Sequence, residues 1–388
     1  KEDRPIHEAF LKSDDDSSKQ REVGEFYATT YVMSEDEIHS YMDESLGHEA
    51  VQKGIDNTQI VADQVEEYTL KQDLEIPYVP DDLSEPDPVL IEKYSSGMPL
   101  LKTFAESPHD SDRHLAREIV RRIEKDSDEL ANQKTYDAIQ TCLNVIKVTS
   151  DKMHTQWSGY LLQTRKFVDA IWESGSLCGP SRGSGGGFIL LYILGITQIN
   201  PLREETPLYY WRFLHEYRAS VLDVDIDCEG NKRNLIIQNL QNKYGGYRRV
   251  CKVQTLSTIQ AKKAIQTAAR GVGLPPEEAQ FLSSYISQER GIQYSLKQTY
   301  YGDEENGLAP NKEFVNLMNS DKYKQLWEVA QNIEGLISGV GQHAGGVILS
   351  PSDMVNYTAL MKTTSGDVIT QFDLHHAEDC GQLKASNT

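Results

Sequence analysis

At 388 residues, 38% of them hydrophobic, the chain has room for two or three domains and enough apolar content for a core in each, which excludes a mini-protein held by staples. Five scattered cysteines, Cys142, Cys178, Cys228, Cys251 and Cys380, show no C-x2-C spacing, so neither a disulfide framework nor a structural zinc site is indicated, and reduced thiols in a cytoplasmic protein are expected. No apolar run reaches the ~18 residues of a membrane span, and Lys1-Glu2-Asp3-Arg4-Pro5 lacks the pattern of a signal peptide.

The formal net charge is -20, which at first argues against a polyanionic partner. Its distribution argues otherwise. Residues 1 to 140 carry 15 Lys and Arg against 34 Asp and Glu, leaving 24 against 25 for the rest. Residues 231 to 275 hold Lys232, Arg233, Lys243, Arg248, Arg249, Lys252, Lys262, Lys263 and Arg270 without one acidic residue. A solvated helix face would interleave Glu and Asp for i to i+4 pairing. One-signed charge fits phosphate contact better, because each neutralised phosphate releases counterions.

In chain order, residues 1 to about 25 are polar, with the run Ser13-Asp14-Asp15-Asp16-Ser17-Ser18, and are expected to be flexible. Ser34-Glu35-Asp36-Glu37 predicts a capped helix start, followed by Ile38, Tyr41 and Met42 at helical spacing. A second helix is expected near 47 to 68. Pro77, Pro80, Pro86 and Pro88 then impose an extended boundary over 76 to 90. Helices follow at 112 to 126, 134 to 148 and 159 to 174, and a further one within Phe188 to Ile196. Val221 to Cys228 alternates apolar and charged residues and reads as a strand. Residues 231 to 335 read as mostly helical, and Gly345 to Leu349 and Val368 to Phe372 as strands.

Two segments carry chemistry. In a strand, Asp223, Asp225 and Asp227 share one face, and carboxylates so close repel unless cations lie between them. Magnesium suits such a set, since it takes a few carboxylates and completes its octahedron with water and phosphate oxygens. A calcium loop is disfavoured, because Cys228 stands where the turn needs glycine and Asn234 where a bidentate Glu belongs. An exposed acidic edge strand is the plain alternative. The second segment, Gly179-Pro180-Ser181-Arg182-Gly183-Ser184-Gly185-Gly186-Gly187, offers backbone amides to phosphate. It lacks the Gly-Lys-Ser/Thr ending of a P-loop, and a flexible turn is the competing reading.

The order of these segments resembles the C-family replicative DNA polymerases, the bacterial DNA polymerase III alpha subunit type. Tyr160-Leu161-Leu162-Gln163 leads to Gly179-Pro180-Ser181-Arg182-Gly183-Ser184, then Leu194 to Leu202, then Arg212-Phe213-Leu214, then Leu222-Asp223-Val224-Asp225-Ile226-Asp227. Downstream, Gln342 to Ser350 and Thr370 to Leu374 are similar to the second palm segment of that family.

The resemblance implies an α+β fold: a polymerase-beta-like nucleotidyltransferase palm with an inserted helical thumb and a mostly helical N-terminal segment. The implied domains are 1 to 90, the end of a phosphoesterase-like domain and a linker; 91 to 230, the first part of the palm; 231 to 335, the thumb; and 336 to 388, the second part of the palm. It implies template-directed nucleotidyl transfer from dNTP to a primer 3'-hydroxyl with two magnesium ions on Asp225 and Asp227. Arg182, Gly183, Ser184, Arg218 and Lys384 are the implied nucleotide-binding residues. The nine cations of 231 to 275 would meet primer-template DNA.

Three departures stand out. His215-Glu216-Tyr217-Arg218 keeps only the arginine of the family pattern, Gly185-Gly186-Gly187 replaces the alanines common there, and Ser386 stands where the third metal-binding Asp is expected. The expectation is therefore a fragment inactive alone, needing a complementing C-terminal polymerase portion and, as a partner, a sliding clamp. The alternatives are a catalytically degenerate relative that binds DNA or the replisome, and a small-substrate nucleotidyltransferase on the same palm.

Overall fold

The computed structural model describes residues 4–13, 31–76, 78, 84–203, 206, 208–217, 224–289, 291–382 and 384–387, the last four for their backbone alone. Its strands are β1 (Val250–Thr258), β2 (Gln288–Glu289), β3 (Ile292–Gln293), β4 (Ile337–Leu349), β5 (Leu360–Lys362), β6 (Val368–Asp373) and β7 (Lys384–Asn387). Together with the helices they make a mixed α+β chain. It divides into two compact units, one of residues 1–68 and 256–340, the other of residues 69–255 and 341–388.

In the first unit the expected helix start is present: Ser34 accepts from the Glu37 amide and the Glu37 side chain accepts from Ser34 N, closing a capping box on the Glu35–Leu46 helix. Gly47 separates it from the His48–Asp63 helix. Val51 is the sole buried residue of this pair of helices. The core of the unit lies elsewhere, among Ala264, Ile265, Ala268, Leu282, Phe314, Leu326, Val329 and Ile333. Ala9 joins that core from the Arg4–Leu11 helix. This corrects the expectation of a flexible lead-in for residues 4–11, where Ile6 and Ala9 supply an apolar side that is covered; residues 14–25 lie outside the described residues.

The second unit is built around the Trp157–Glu173 helix, in which thirteen of seventeen residues are buried. A helix covered on nearly all sides is a core element. The Pro88–Ser95, Asp110–Lys125, Gln133–Met153 and Ile189–Ile193 helices share its core. Asp87 caps the Pro88 helix through its side chain, and Pro88 sits in the first turn, where a missing N–H costs nothing. The extended boundary over 76 to 90 thus ends at Asp87; residues 77 and 79–83 lie outside the described residues.

The sheet runs β5-β6-β1-β4-β7, with β1 parallel to β6 and the pairs β5/β6 and β4/β7 antiparallel. Its two faces follow the two-residue period of strands. Val250, Val347 and Leu349 enter the main core, while Cys251, Val253 and Ile348 pack with Met354 and Ala377 on the other face.

Three segments are arranged differently from expectation. The 1 to 90 piece is not one body: residues 1–68 and 69–90 fall in different units, and Gln72 bridges Cys380 while Glu75 N donates to Gly381 O. The mostly helical 231 to 335 segment contains β1, a nine-residue strand rich in Val and Thr, and strand-forming residues there outweigh the helical reading. Residues 231–255 belong to one compact unit and residues 256–335 to the other. Finally, Val224 to Cys228 is not a member of the five-stranded sheet; Cys228 instead forms an isolated antiparallel bridge with Cys178.

Candidate metal and nucleotide site

The aspartate segment is held by a series of contacts from buried elements of the second unit. Tyr160, 2% exposed on the central helix, accepts a hydrogen bond from Val224 N at 3.2 Å through its hydroxyl. Gly179 N donates to Asp227 O at 2.9 Å. Glu229 Oε1 accepts from Leu177 N, and Ser176 Oγ accepts from Glu229 N. The segment from Ser176 to Gly179 is thereby laced to the segment from Asp227 to Glu229. Burial alternates as expected, with Val224 and Ile226 at 4% and Asp225 and Asp227 turned outward. The strand-like alternation therefore survives without sheet membership.

Two glycines let the loop reach these carboxylates. A Cβ on Gly179 would lie 2.8 Å from Asp227 Cβ, and Gly183 has φ +67° with Asp225 Oδ2 3.5 Å from its would-be Cβ. Any side chain at Gly179 displaces the aspartate, and L-residues resist the Gly183 conformation. Residues 183–187 form a 3-10 turn set on buried Phe188, whose ring is 5.1 Å from that of Phe213. Arg182 then projects across both carboxylates, Nη2 at 3.2 Å from Asp225 Oδ1 and Nε at 3.4 Å from Asp227 Oδ1. Two carboxylates converging on one cationic group are hard oxygen donors of the kind magnesium takes. The nearby thiols are no competitors, because burial pushes Cys178 up to about 11 and raises Cys228, so both stay protonated near neutral pH.

The structure thus brings Arg182, Gly183, Asp225 and Asp227 together, with half-buried Ser184 in the same 3-10 turn. Asp223 and Arg218 lie outside the described residues. Lys384 is on β7 opposite Ile348, and Ser386 is opposite Val347.

The nine cations of 231 to 275 are divided between the two units. Six fall in the second unit and three, Lys262, Lys263 and Arg270, in the first. Several have internal partners. Arg248 pairs with Asp353 at 2.7 Å, Arg249 Nε donates to Ser350 O, Lys243 lies 3.9 Å from Glu173, and Arg270 Nε donates to Ser13 O. Lys252, with a side chain 12% exposed, lies between Asn234 and Asp367. Arg233 donates to His343 O at 3.5 Å. Lys232 lies just ahead of the Arg233–Tyr244 helix and Lys263 is exposed.

Sequence reasoning missed Tyr160 and Glu229 as anchors of the aspartate segment, since nothing local marks their long-range contacts. It also missed a His/Asp cluster able to coordinate a metal, His39, Asp43 and His48, in the first unit. The i, i+4 spacing of His39 and Asp43 on a capped helix was the available signal. This cluster is a separate site from the Asp225 and Asp227 pair.

Residues 113–385 match the bacterial DNA polymerase III alpha NTPase domain. The chain belongs to this polymerase III alpha family. It is similar to the probable DNA polymerase YorL of Bacillus subtilis and to a DNA-directed DNA polymerase of Bacillus phage SPbeta, each 35% identical over 99% of this chain and 29% of the relative. The DNA polymerase III subunit alpha of B. subtilis is 32% identical over 63% of the chain and 20% of its own length. This family member therefore spans under a third of the relatives it matches. Among its described residues no helix is long and apolar enough to cross a membrane.

Proposed function

We propose that the chain carries the metal- and nucleotide-binding face of a template-directed DNA polymerase, with residues 69–255 and 341–388 as palm and residues 256–340 as the helical thumb. The observation that carries this reading is the Arg182 guanidinium spanning Asp225 and Asp227 at the mouth of the glycine loop. Asp225 and Asp227 would hold two magnesium ions, which supply charge neutralisation for an attacking 3'-hydroxyl and for a departing pyrophosphate. Arg182, half exposed and paired to carboxylates, would exchange that partner for the triphosphate of a dNTP. Gly183 and Ser184 would offer amide and hydroxyl donors, with Arg218 and Lys384 as further cations. The nine cations of 231 to 275 would meet the backbone of primer-template DNA, Lys263 and Lys232 more directly than the internally paired Lys252. A complementing C-terminal polymerase portion and a sliding clamp are the proposed partners.

Ser386 supports a second reading, a catalytically degenerate relative that binds DNA or the replisome. Primer extension in magnesium separates the two. The polymerase reading expects extension once a C-terminal portion is supplied, abolished by Asp225→Asn or Asp227→Asn. No extension under those conditions, with primer-template binding retained, supports the degenerate relative. Absence of binding even at low salt overturns both, because phosphate contact strengthens as salt falls.

A further inference from the structure

The Glu35–Leu46 and His48–Asp63 helices bury one residue, Val51, so little apolar contact holds this hairpin closed. A polar cluster spans it instead. Asp43 Oδ1 lies 2.7 Å from His39 Nδ1, and Asp43 Oδ2 lies 2.9 Å from His48 Nδ1. The two imidazoles stack, with centroids 4.2 Å apart and planes at 27°.

The donors around Gln52 decide the state of His39. Gln52 Nε2 donates to Glu35 Oε1 at 2.8 Å and to Asp56 Oδ1 at 3.0 Å, so its Oε1 faces His39 Nε2 at 2.9 Å. An amide oxygen only accepts, hence His39 Nε2 carries a proton. The Nδ1 atom facing the Asp43 carboxylate then needs a second positive centre, either a proton of its own or a metal ion. With a proton there the ring is a cation stacked on His48. With a metal there it is neutral.

We propose that His39, Asp43 and His48 bind one divalent transition-metal ion of the zinc class, which fastens the hairpin. The ligand atoms all lie within 4.8 Å of one another. Two ligands about 2.0–2.1 Å from a tetrahedral ion stand roughly 3.3 Å apart, so opening each Asp43 contact by about half an ångström admits it. Two imidazole nitrogens and one carboxylate favour zinc or cobalt over magnesium, which prefers oxygen donors throughout. Gln52 would serve as the outer carbonyl that receives the ligand's other ring N–H and fixes its tautomer. Water would complete the coordination. This site is independent of the polymerase reading, sharing no residue with it.

The test is titration of the full chain with cobalt(II), read by visible d–d absorbance, and with zinc, read by the melting midpoint of the hairpin signal. One equivalent of tetrahedral cobalt is expected, lost in His48→Ala, whose 73% exposed side chain makes misfolding an inadequate explanation. Gln52→Leu should weaken binding about ten- to a hundredfold. Asp225→Asn with Asp227→Asn should leave it unchanged. No tetrahedral band in the unaltered chain, or a band that persists in the His39→Ala, His48→Ala double variant, overturns the proposal, as does its loss in the Asp225, Asp227 variant.

Discussion

The glycine-loop site and the histidine hairpin both place titratable side chains around one carboxylate group or pair, yet they are supported in opposite ways. Asp225 and Asp227 stand on a segment anchored to a helix with thirteen of seventeen residues buried. The hairpin rests on one buried valine and a web of side-chain hydrogen bonds. The difference teaches that a fixed site is made by the elements behind it: packing is dense and directional, whereas exposed polar contacts contribute little each. Substitutions at the first site should therefore separate chemistry from stability, whereas at the second only an exposed position such as His48 should do so.

The largest effect is expected for Asp227→Asn. Its side chain is 56% exposed, so the melting midpoint should hold within a degree or two, while extension by the complemented polymerase falls about a thousandfold, ~4 kcal/mol of lost charge stabilisation. A comparable loss of thermal stability would break the comparison.

Glu118, on the Asp110–Lys125 helix of the same unit, tests the supporting bundle. Burial alone would raise its pKa, but the hydrogen bonds and charges of His114 and Arg165 outweigh that and hold the carboxyl well below its ordinary value. A depressed pKa adds stability that is present above the ordinary glutamate value and disappears as the pH falls toward the folded one. Glu118→Gln should cost about 2–3 kcal/mol at neutral pH, less than a fully enclosed pair because its side chain is partly exposed. Denaturant melts at pH 7 and in acid check this, and the difference between variant and parent should shrink in acid.

Ser34→Ala removes the capping box and should cost about 1 kcal/mol, seen as faster proteolysis of the Glu35–Asp63 hairpin with DNA binding unchanged. Smallest is Arg248→Ala, which breaks an exposed pair with Asp353; the melting midpoint should hardly move, while the primer-template salt slope becomes shallower by about one if this arginine contacts a phosphate. An unchanged slope would remove Arg248 from the DNA-binding set.

Local physics made much of this protein legible in its sequence. The capping box at Ser34, the core helices at 110–125, 133–153 and 157–173, and the alternation of Val224 to Asp227 all depend on residues near one another in the chain. So does the need for a flexible backbone at Gly183. Tertiary structure decided the rest. Val250 to Thr258 carries strand-forming residues, but nothing local announces β6 and β4, the strands that flank it. The nine cations were divided between two units because chain proximity does not determine which core a segment joins. Arg182 met Asp225 and Asp227, and His39 met His48 through Asp43, because backbone pairing and a helical turn brought them within reach. The sequence by itself determined which residue types were present and their local conformation; the folded chain determined which charges face each other, since Coulomb and hydrogen-bond energies depend on distances that only packing sets.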